Sequence, residues 1–214
     1  MKTQISQKPI FISVINHKET PNNRSIGIVG EWYSQIEKQF DQKVIDTSGM
    51  DVDTFFGNLV EFTKGRPSVC MYFCLHGTHE ESQEHPEGLE FLKLNDKHKI
   101  PDEDFTSFIS VMPVPHLYFY FEVCHSGGLL NTLVCDTATM PIDRSFLMFT
   151  ACSKDQKCWT NFYQSRIDGN YCMGETSMWL RKHCLNPLIQ PDASYMALRK
   201  GLPHLQPKYI VLRN

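Results

Sequence analysis

The chain has 214 residues, of which 41% are hydrophobic and 12% aromatic, so it can bury one sizeable core and we expect a single domain. Its formal net charge is −3 and its basic residues are scattered, which excludes the basic stripe that follows a nucleic-acid backbone. No apolar stretch approaches the roughly 20 residues of a membrane-spanning helix, so we expect neither nucleic acid nor a membrane among its partners.

The first eight residues, Met1–Lys8, lack the hydrophobic region of a signal peptide. If Met1 is the natural start, we expect a cytoplasmic protein. The eight cysteines include no Cys-X-X-Cys pair and several lie in predicted strands, which favours reduced, buried thiols over a disulfide framework. A reducing compartment would also keep a nucleophilic cysteine available.

Short apolar runs predict strands, and helical patterns lie between them. The strands are expected at residues 9–15, 43–45, 69–75, 117–123 and 145–150, with a last one at 209–212. The helices are expected at residues 25–40, 51–64, 102–111 and 127–135, and later at 174–184 and 193–200. Because strand and helix alternate, we expect an α/β fold with a mostly parallel central sheet flanked by helices. Ser48 or Asp51 is expected to cap the second helix, and Gly65 to end it.

Two segments lie between the third strand and the next helix. The first, Thr78–Glu87, is polar, acidic and without periodicity, which predicts a mobile loop. The second, Gly88–Leu94, alternates apolar and polar residues, which predicts a small hairpin or an edge strand.

Two predicted strands are followed by residues that can take part in catalysis. The apolar run Val69–Leu75 is followed by His76 and Gly77, and the run ending at Val123 is followed by Cys-His-Ser-Gly at residues 124–127. The carboxyl ends of parallel strands meet at one edge of a sheet, where open α/β sheets bind their ligands. We therefore expect the histidine and the cysteine to lie at the same edge.

The order and spacing of these motifs resemble those of the caspase-like cysteine peptidases, which include caspases, metacaspases and legumains. The histidine precedes the cysteine by about 50 residues, as in caspases, but the caspase pentapeptide Gln-Ala-Cys-X-Gly is absent. The motif Cys-His-Ser-Gly at residues 124–127 is most similar to the motif around the cysteine of metacaspases. Glu122, two residues before the cysteine, is instead similar to the residue that legumains carry there. Residues 149–156 resemble the strand and substrate-binding loop that follow the cysteine in both families. The resemblance covers roughly residues 9–180, and a helix and strand at residues 190–214 complete the expected domain.

The resemblance implies a cysteine endopeptidase in which Cys124 is the nucleophile and His76 the acid and base. A free thiol is only a few per cent thiolate at neutral pH, so it needs a neighbouring imidazole. The backbone N–H groups of Gly77 and Cys124 are expected to stabilise the oxyanion. His125 is an adjacent alternative base. The non-catalytic interpretation of the cysteine is a buried thiol at a strand end.

Specificity is expected to involve an acidic residue, because Glu122 matches the position that lines the pocket for the side chain preceding the scissile bond. Metacaspases typically carry Ser two residues before the histidine, where this chain has Cys74. Arg24 stands where legumains have the arginine that holds a substrate Asn, and a pocket of Arg24 and Glu122 would suit an uncharged amide. Ser153 and Asp155 match positions that flank the substrate. We expect cleavage after Asn or Asp, with Arg or Lys as the alternative.

Two other functions stay open: a peptide ligase or transpeptidase on the same site, and a non-catalytic interaction domain with the same fold. A cysteine phosphatase is excluded because Leu130 stands where such an enzyme needs Arg. No metal or organic cofactor is expected, although calcium is left open as an activator through Glu80, Glu81 and Glu84. The expected partners are peptide or protein substrates, and a monomer and a homodimer are both open.

Overall fold

The computed structural model of the chain describes residues 8–18, 41–121, 123–129, 145–150 and 208–213. The strands in these ranges are Ile10–Ile15 (β1), Asp41–Asp46 (β2), Ser68–Cys74 (β3), His76–Glu80 (β4), Leu89–Lys93 (β5), Lys99–Pro101 (β6), His116–Phe121 (β7), Ser145–Thr150 (β8) and Lys208–Arg213 (β9). The α-helices in the same ranges are Val52–Thr63 (α1) and Asp102–Val111 (α2). A short 3₁₀ helix at Ser126–Gly128 follows β7. Neither α1 nor α2 is long and apolar enough to span a membrane.

The central sheet has six strands in the order β2-β1-β3-β7-β8-β9. The first five strands pair in parallel, and β9 pairs antiparallel with β8. Parallel neighbours need a crossover connection, and α1 and α2 lie in the connections that lead into β3 and β7. The predicted α/β fold with a mostly parallel central sheet is confirmed for the described residues.

The core forms where the inner strands meet α1 and α2. Every residue of β1 is buried, as is β3 from Val69 onward, so these strands read as continuous apolar runs rather than alternating ones. On one face, Phe73 packs edge-on against Phe105 of α2, with ring centroids 5.6 Å apart. Burial of one such side chain is worth about 1.5–3 kcal/mol, so this face holds the helices against the sheet.

Helix α1 begins as its sequence predicts. Asp51 is the N-cap, and its carboxylate accepts a hydrogen bond from the backbone N–H of Thr54 at 2.7 Å. Hydrogen bonds from the Thr54 hydroxyl and from this backbone N–H lower the pKa of Asp51 below its ordinary value. At the other end, Gly65 has φ of 70°, the left-handed conformation that glycine adopts after a helix. Ser48 is not the cap, because it binds Asp46 instead.

A second, three-stranded antiparallel sheet, β4-β5-β6, is called the small sheet below. Strand β5 lies in the segment 88–94, which is predicted as a small hairpin or an edge strand. It pairs antiparallel with its chain neighbours β4 and β6, so the hairpin is found and the edge position is wrong. The prediction of a mobile loop over Thr78–Glu87 is wrong for Thr78, His79 and Glu80, which form the end of β4. Their polar side chains hide the strand in the sequence, and pairing with β5 supplies their backbone partners.

Buried polar side chains fix the small sheet to the carboxyl edge of the central sheet. The side-chain amide of Asn16 donates to the carbonyl of Leu94 at 2.9 Å, and the Thr47 hydroxyl donates to the same carbonyl. In the other direction, the Asn95 amide donates to the carbonyls of Thr47 and Met50 at 2.8 and 2.7 Å. Because buried polar groups are costly unless paired, this network holds the turn between β5 and β6 in one position.

Of the predicted helices, those at residues 25–40, 174–184 and 193–200 lie outside the described residues. The helix expected at residues 127–135 is described only at its start, where Gly127 and Gly128 belong to the 3₁₀ helix.

Candidate functional site

The candidate histidine lies where the chain passes from the central sheet to the small sheet. Strand β3 ends at Cys74, Leu75 is buried, and β4 begins at His76. His76 is partly exposed at the carboxyl edge of the central sheet. The sequence therefore places a titratable side chain at the edge where ligands bind in this class of sheet.

The candidate nucleophile lies in a tight turn of residues 123–129, called the Cys124 turn below. The backbone N–H of Ser126 donates to the Val123 carbonyl at 3.3 Å, and that of Gly128 donates to the His125 carbonyl at 3.0 Å. Cys124 is partly exposed. In contrast, Cys70 and Cys74 on β3 are buried, at 3% and 2% exposure. Of these three, only the thiol of Cys124 can meet a substrate.

His125 in this turn has a strained backbone. Its φ is 58° and its ψ is 14°, which is the left-handed conformation, and it is the non-glycine residue with positive φ among the described residues. This conformation costs an L-residue roughly 1–2 kcal/mol. Such strain persists only where the surroundings enforce it, and it concentrates at functional sites.

Gly77 brings the histidine segment into contact with the Cys124 turn. A methyl group added at Gly77 would overlap the carbonyl oxygen of Cys124 and lie 2.6 Å from Cγ1 of Val123. Since carbon atoms in contact are about 3.5–4.0 Å apart, only glycine fits between the two segments. Strands β3 and β7 are also neighbours, with Phe73 beside Phe121. The His76–Gly77 segment and Cys124 therefore lie side by side, as predicted, with Gly77 packed on the backbone carbonyl of Cys124.

A further group of polar side chains, absent from the sequence predictions, contacts the same turn. Nδ1 of His79 on β4 lies 3.2 Å from Oε1 of Glu90 on β5. The His79 ring stacks on the His125 ring with centroids 6.0 Å apart. The Glu90 side chain packs on Gly128, where an added methyl group would lie 2.6 Å from Cγ. In a strand, Gly77 and His79 lie on the same face because they are two residues apart. This relation could not be used for prediction, because the sequence predicts a loop from Thr78 onward.

The predicted specificity residues are mostly not placed. Arg24, Glu122, Ser153 and Asp155 lie outside the described residues. Cys74 is the last residue of β3 and is buried next to Ile15 of β1.

The acidic residues at the end of β4 and after it do not form a ligand cluster. Glu80 pairs with Lys99, and Glu81 and Glu84 are exposed. Within the described ranges, no group of three or more His, Cys, Asp or Glu side chains is arranged to hold a metal ion.

Comparison with known proteins adds no family to these observations. No family model matches the chain, and no curated protein matches it significantly. The functional conclusion therefore depends on the motifs and on the geometry around Cys124.

Proposed function

We propose that the chain is a cysteine endopeptidase of the caspase-like class, in which Cys124 is the nucleophile and His76 the acid and base. The observation that supports this most is the packing of Gly77 on the backbone of Cys124, because it joins the two motifs at one edge of the sheet. The mostly parallel sheet, and the small antiparallel sheet that begins at His76, also agree with the resemblance.

In the proposed first step, the Cys124 thiolate attacks the carbonyl carbon of the scissile peptide bond. The oxyanion accepts hydrogen bonds from the backbone N–H groups of Gly77 and Cys124, and one such donor is typically worth about 10²–10³ in kcat. The carbon–nitrogen bond then breaks, and the imidazolium of His76 gives its proton to the leaving amine. A thioester on Cys124 remains.

In the second step, water attacks the thioester and His76 takes the proton of that water. The carbon–sulfur bond breaks, the carboxylic acid leaves, and the Cys124 thiolate and the His76 imidazolium are restored. If an amine attacks the thioester instead, the same intermediate yields a new peptide bond, which is the ligase reaction.

The environment of the histidines favours His76 over His125 as the base. The His125 ring is stacked on His79, on the side of the turn that faces the small sheet. His76 instead begins β4 beside the glycine that contacts Cys124. His125 is therefore assigned to holding the turn.

For substrate preference, we keep the residues that the resemblance implies. Glu122 and Arg24 would hold the side chain before the scissile bond, Cys74 would lie behind the pocket, and Ser153 and Asp155 would flank the peptide. This arrangement suits Asn or Asp, with Arg or Lys as the alternative, and needs no metal or organic cofactor.

The test is a panel of fluorogenic peptides that differ only in the residue before the scissile bond: Asn, Asp, Arg or Lys. Each peptide is measured with and without calcium. Cys124→Ala is expected to lower cleavage by at least about a thousandfold, because the nucleophile is removed. Cys70→Ala is the matched control, since it removes a buried thiol from β3 and should retain activity.

The outcomes separate the alternatives. Cleavage that requires Cys124 supports the peptidase, and joined product in the presence of a second peptide with a free amino terminus supports the ligase. If no peptide is cleaved or joined by folded protein, the proposal is wrong and a binding function takes its place.

A further inference from the structure

We infer that Glu90 and His79 of the small sheet are positioning residues that hold the Cys124 turn in its reactive shape, an inference that rests on the proposed function. His79 lies on β4, three residues after the proposed base His76, and Glu90 lies on β5, so neither residue belongs to the Cys124 turn. They act through contacts with His125 and Gly128, on either side of the turn.

Glu90 orients His79 by a hydrogen bond. A carboxylate can only accept, so Nδ1 of His79 carries the proton and donates to Oε1 of Glu90 at 3.2 Å. The side chains of His79 and Glu90 are only 23% and 12% exposed. Because water reaches this pair poorly, the interaction is less screened than a surface ion pair.

The His79 ring is held from a second direction. Gly88 has φ of 77°, and a methyl group added there would lie 3.0 Å from Nδ1 of His79 and closer to other ring atoms. The ring therefore contacts both the Gly88 backbone and the ring of His125. A ring fixed in this way presents a rigid face to the turn.

The turn needs such support because His125 is strained. Stacking on His79, at 6.0 Å between ring centroids, stabilises the left-handed conformation of His125. Packing of Glu90 on Gly128 holds the other end of the turn. Cys124 and its neighbours are then placed by two contacts from one sheet, and that sheet is itself clamped to the central sheet by Asn16, Thr47 and Asn95.

The first test compares Glu90→Ala, Glu90→Gln and Lys99→Ala in the full chain. Glu90→Ala removes the acceptor and the packing on Gly128, so kcat should fall about 10- to 100-fold while KM changes little. Glu90→Gln keeps the shape of the side chain and one acceptor oxygen, so this variant should retain most of the kcat of the unmodified chain. Lys99→Ala is the matched control, because it removes an ion pair with Glu80 and a cation–π contact with Phe91 on the same sheet, and neither partner belongs to the turn.

A second variant separates stacking from the hydrogen bond. His79→Asn retains a donor for Glu90 but removes the ring, so kcat should fall as in Glu90→Ala. Thermal unfolding of each variant shows whether it is folded. If Glu90→Ala does not fold, Glu90→Gln and His79→Asn decide: equal kcat in both, at the level of the unmodified chain, overturns the inference.

The rate of Cys124 alkylation by iodoacetamide at pH 7, followed by mass spectrometry, is the readout that does not need peptide cleavage. A displaced thiol loses its imidazole partner, so alkylation should slow about tenfold in Glu90→Ala and not in Lys99→Ala. If the unmodified chain cleaves peptides and Glu90→Ala equals Lys99→Ala in kcat and alkylation, the inference fails while the proposed function stands. If no peptide is cleaved but the alkylation difference is found, the proposed function fails while the support of the turn stands.

Discussion

Replacement of Gly77 by alanine tests the contact on which the proposed site depends. The new methyl group would lie 2.6 Å from Cγ1 of Val123 and 3.0 Å from the carbonyl carbon of Cys124, and would overlap the carbonyl oxygen. Val123 is fully buried and the carbonyl group is backbone, so neither can move aside by a rotamer change. To regain a contact of about 3.5 Å, the Cys124 turn must shift by roughly 1 Å.

Two effects of Gly77→Ala can be estimated from this shift. Overpacking of this kind costs about 1–3 kcal/mol, which for a chain of this size lowers Tm by about 2–12 °C. Misplacement of a reacting group by about 1 Å costs on the order of a hundredfold in rate. We therefore expect kcat/KM to fall by about a hundredfold or more, together with slower alkylation of Cys124 by iodoacetamide.

Gly57→Ala is the matched control for this experiment. Gly57 lies inside α1, and a methyl group there would meet no atom within 4 Å. Alanine is favoured over glycine inside a helix by roughly 0.5–1 kcal/mol, so this variant should be slightly more stable and fully active. The reasoning would be refuted by a Gly77→Ala protein with the Tm, alkylation rate and kcat/KM of Gly57→Ala.

Three further predictions concern the supports of the site. Asn95→Ala removes the amide that donates to the carbonyls of Thr47 and Met50, although the Thr47 carbonyl keeps the backbone N–H of Met50 as a donor. Calorimetry should show a loss of about 1–3 kcal/mol, compared with no more than about 0.5 kcal/mol for the partly exposed Ser110→Ala. Burial alone would raise the pKa of Asp46, but hydrogen bonds from Ser48 and His17 and the charge of His17 hold it below its ordinary value. The stability that Asp46 supplies is thus present above about pH 4 and lost as the pH falls below it, so the Tm difference between the unmodified chain and Asp46→Asn should shrink between pH 6 and pH 3; a constant difference would contradict this. His79→Ala should lower kcat by releasing the strained His125, and adding His125→Gly should recover part of that loss, since glycine adopts this backbone without strain; equal kcat in the single and double variants would count against the role of strain.

Some of the fold could be predicted because local physics determines it. Strands β1, β3, β7 and β8 are apolar runs of the right length, and burial on both faces of a parallel sheet needs such runs. Helix α2 was predicted with its observed bounds, Asp102–Val111, because acidic residues begin it and apolar residues recur with helical spacing. Asp51 was a predicted cap for α1, and its side chain accepts the expected hydrogen bond.

The small sheet was harder to predict. Strand β4 is polar and short, so its period-2 alternation carries no hydrophobic signal, and its sequence predicts a loop from Thr78 onward. Its residues are in a strand because β5 is available to pair with them, and β5 follows only after Gly88 turns the chain. Pairing between strands depends on the partner, which a local pattern does not contain.

The sequence by itself determined the residue types of the candidate site and their place at strand ends: a histidine and glycine after one apolar run, and a cysteine before a tight turn after another. Only the tertiary structure decided that Gly77 packs on Cys124, that His79 stacks on His125 and that Glu90 packs on Gly128. These contacts join segments far apart in the chain, and they arise from the strand order and from the small sheet clamped beside it. Composition and periodicity report each segment's own preference, whereas close approach between segments is set by the packing of the whole domain.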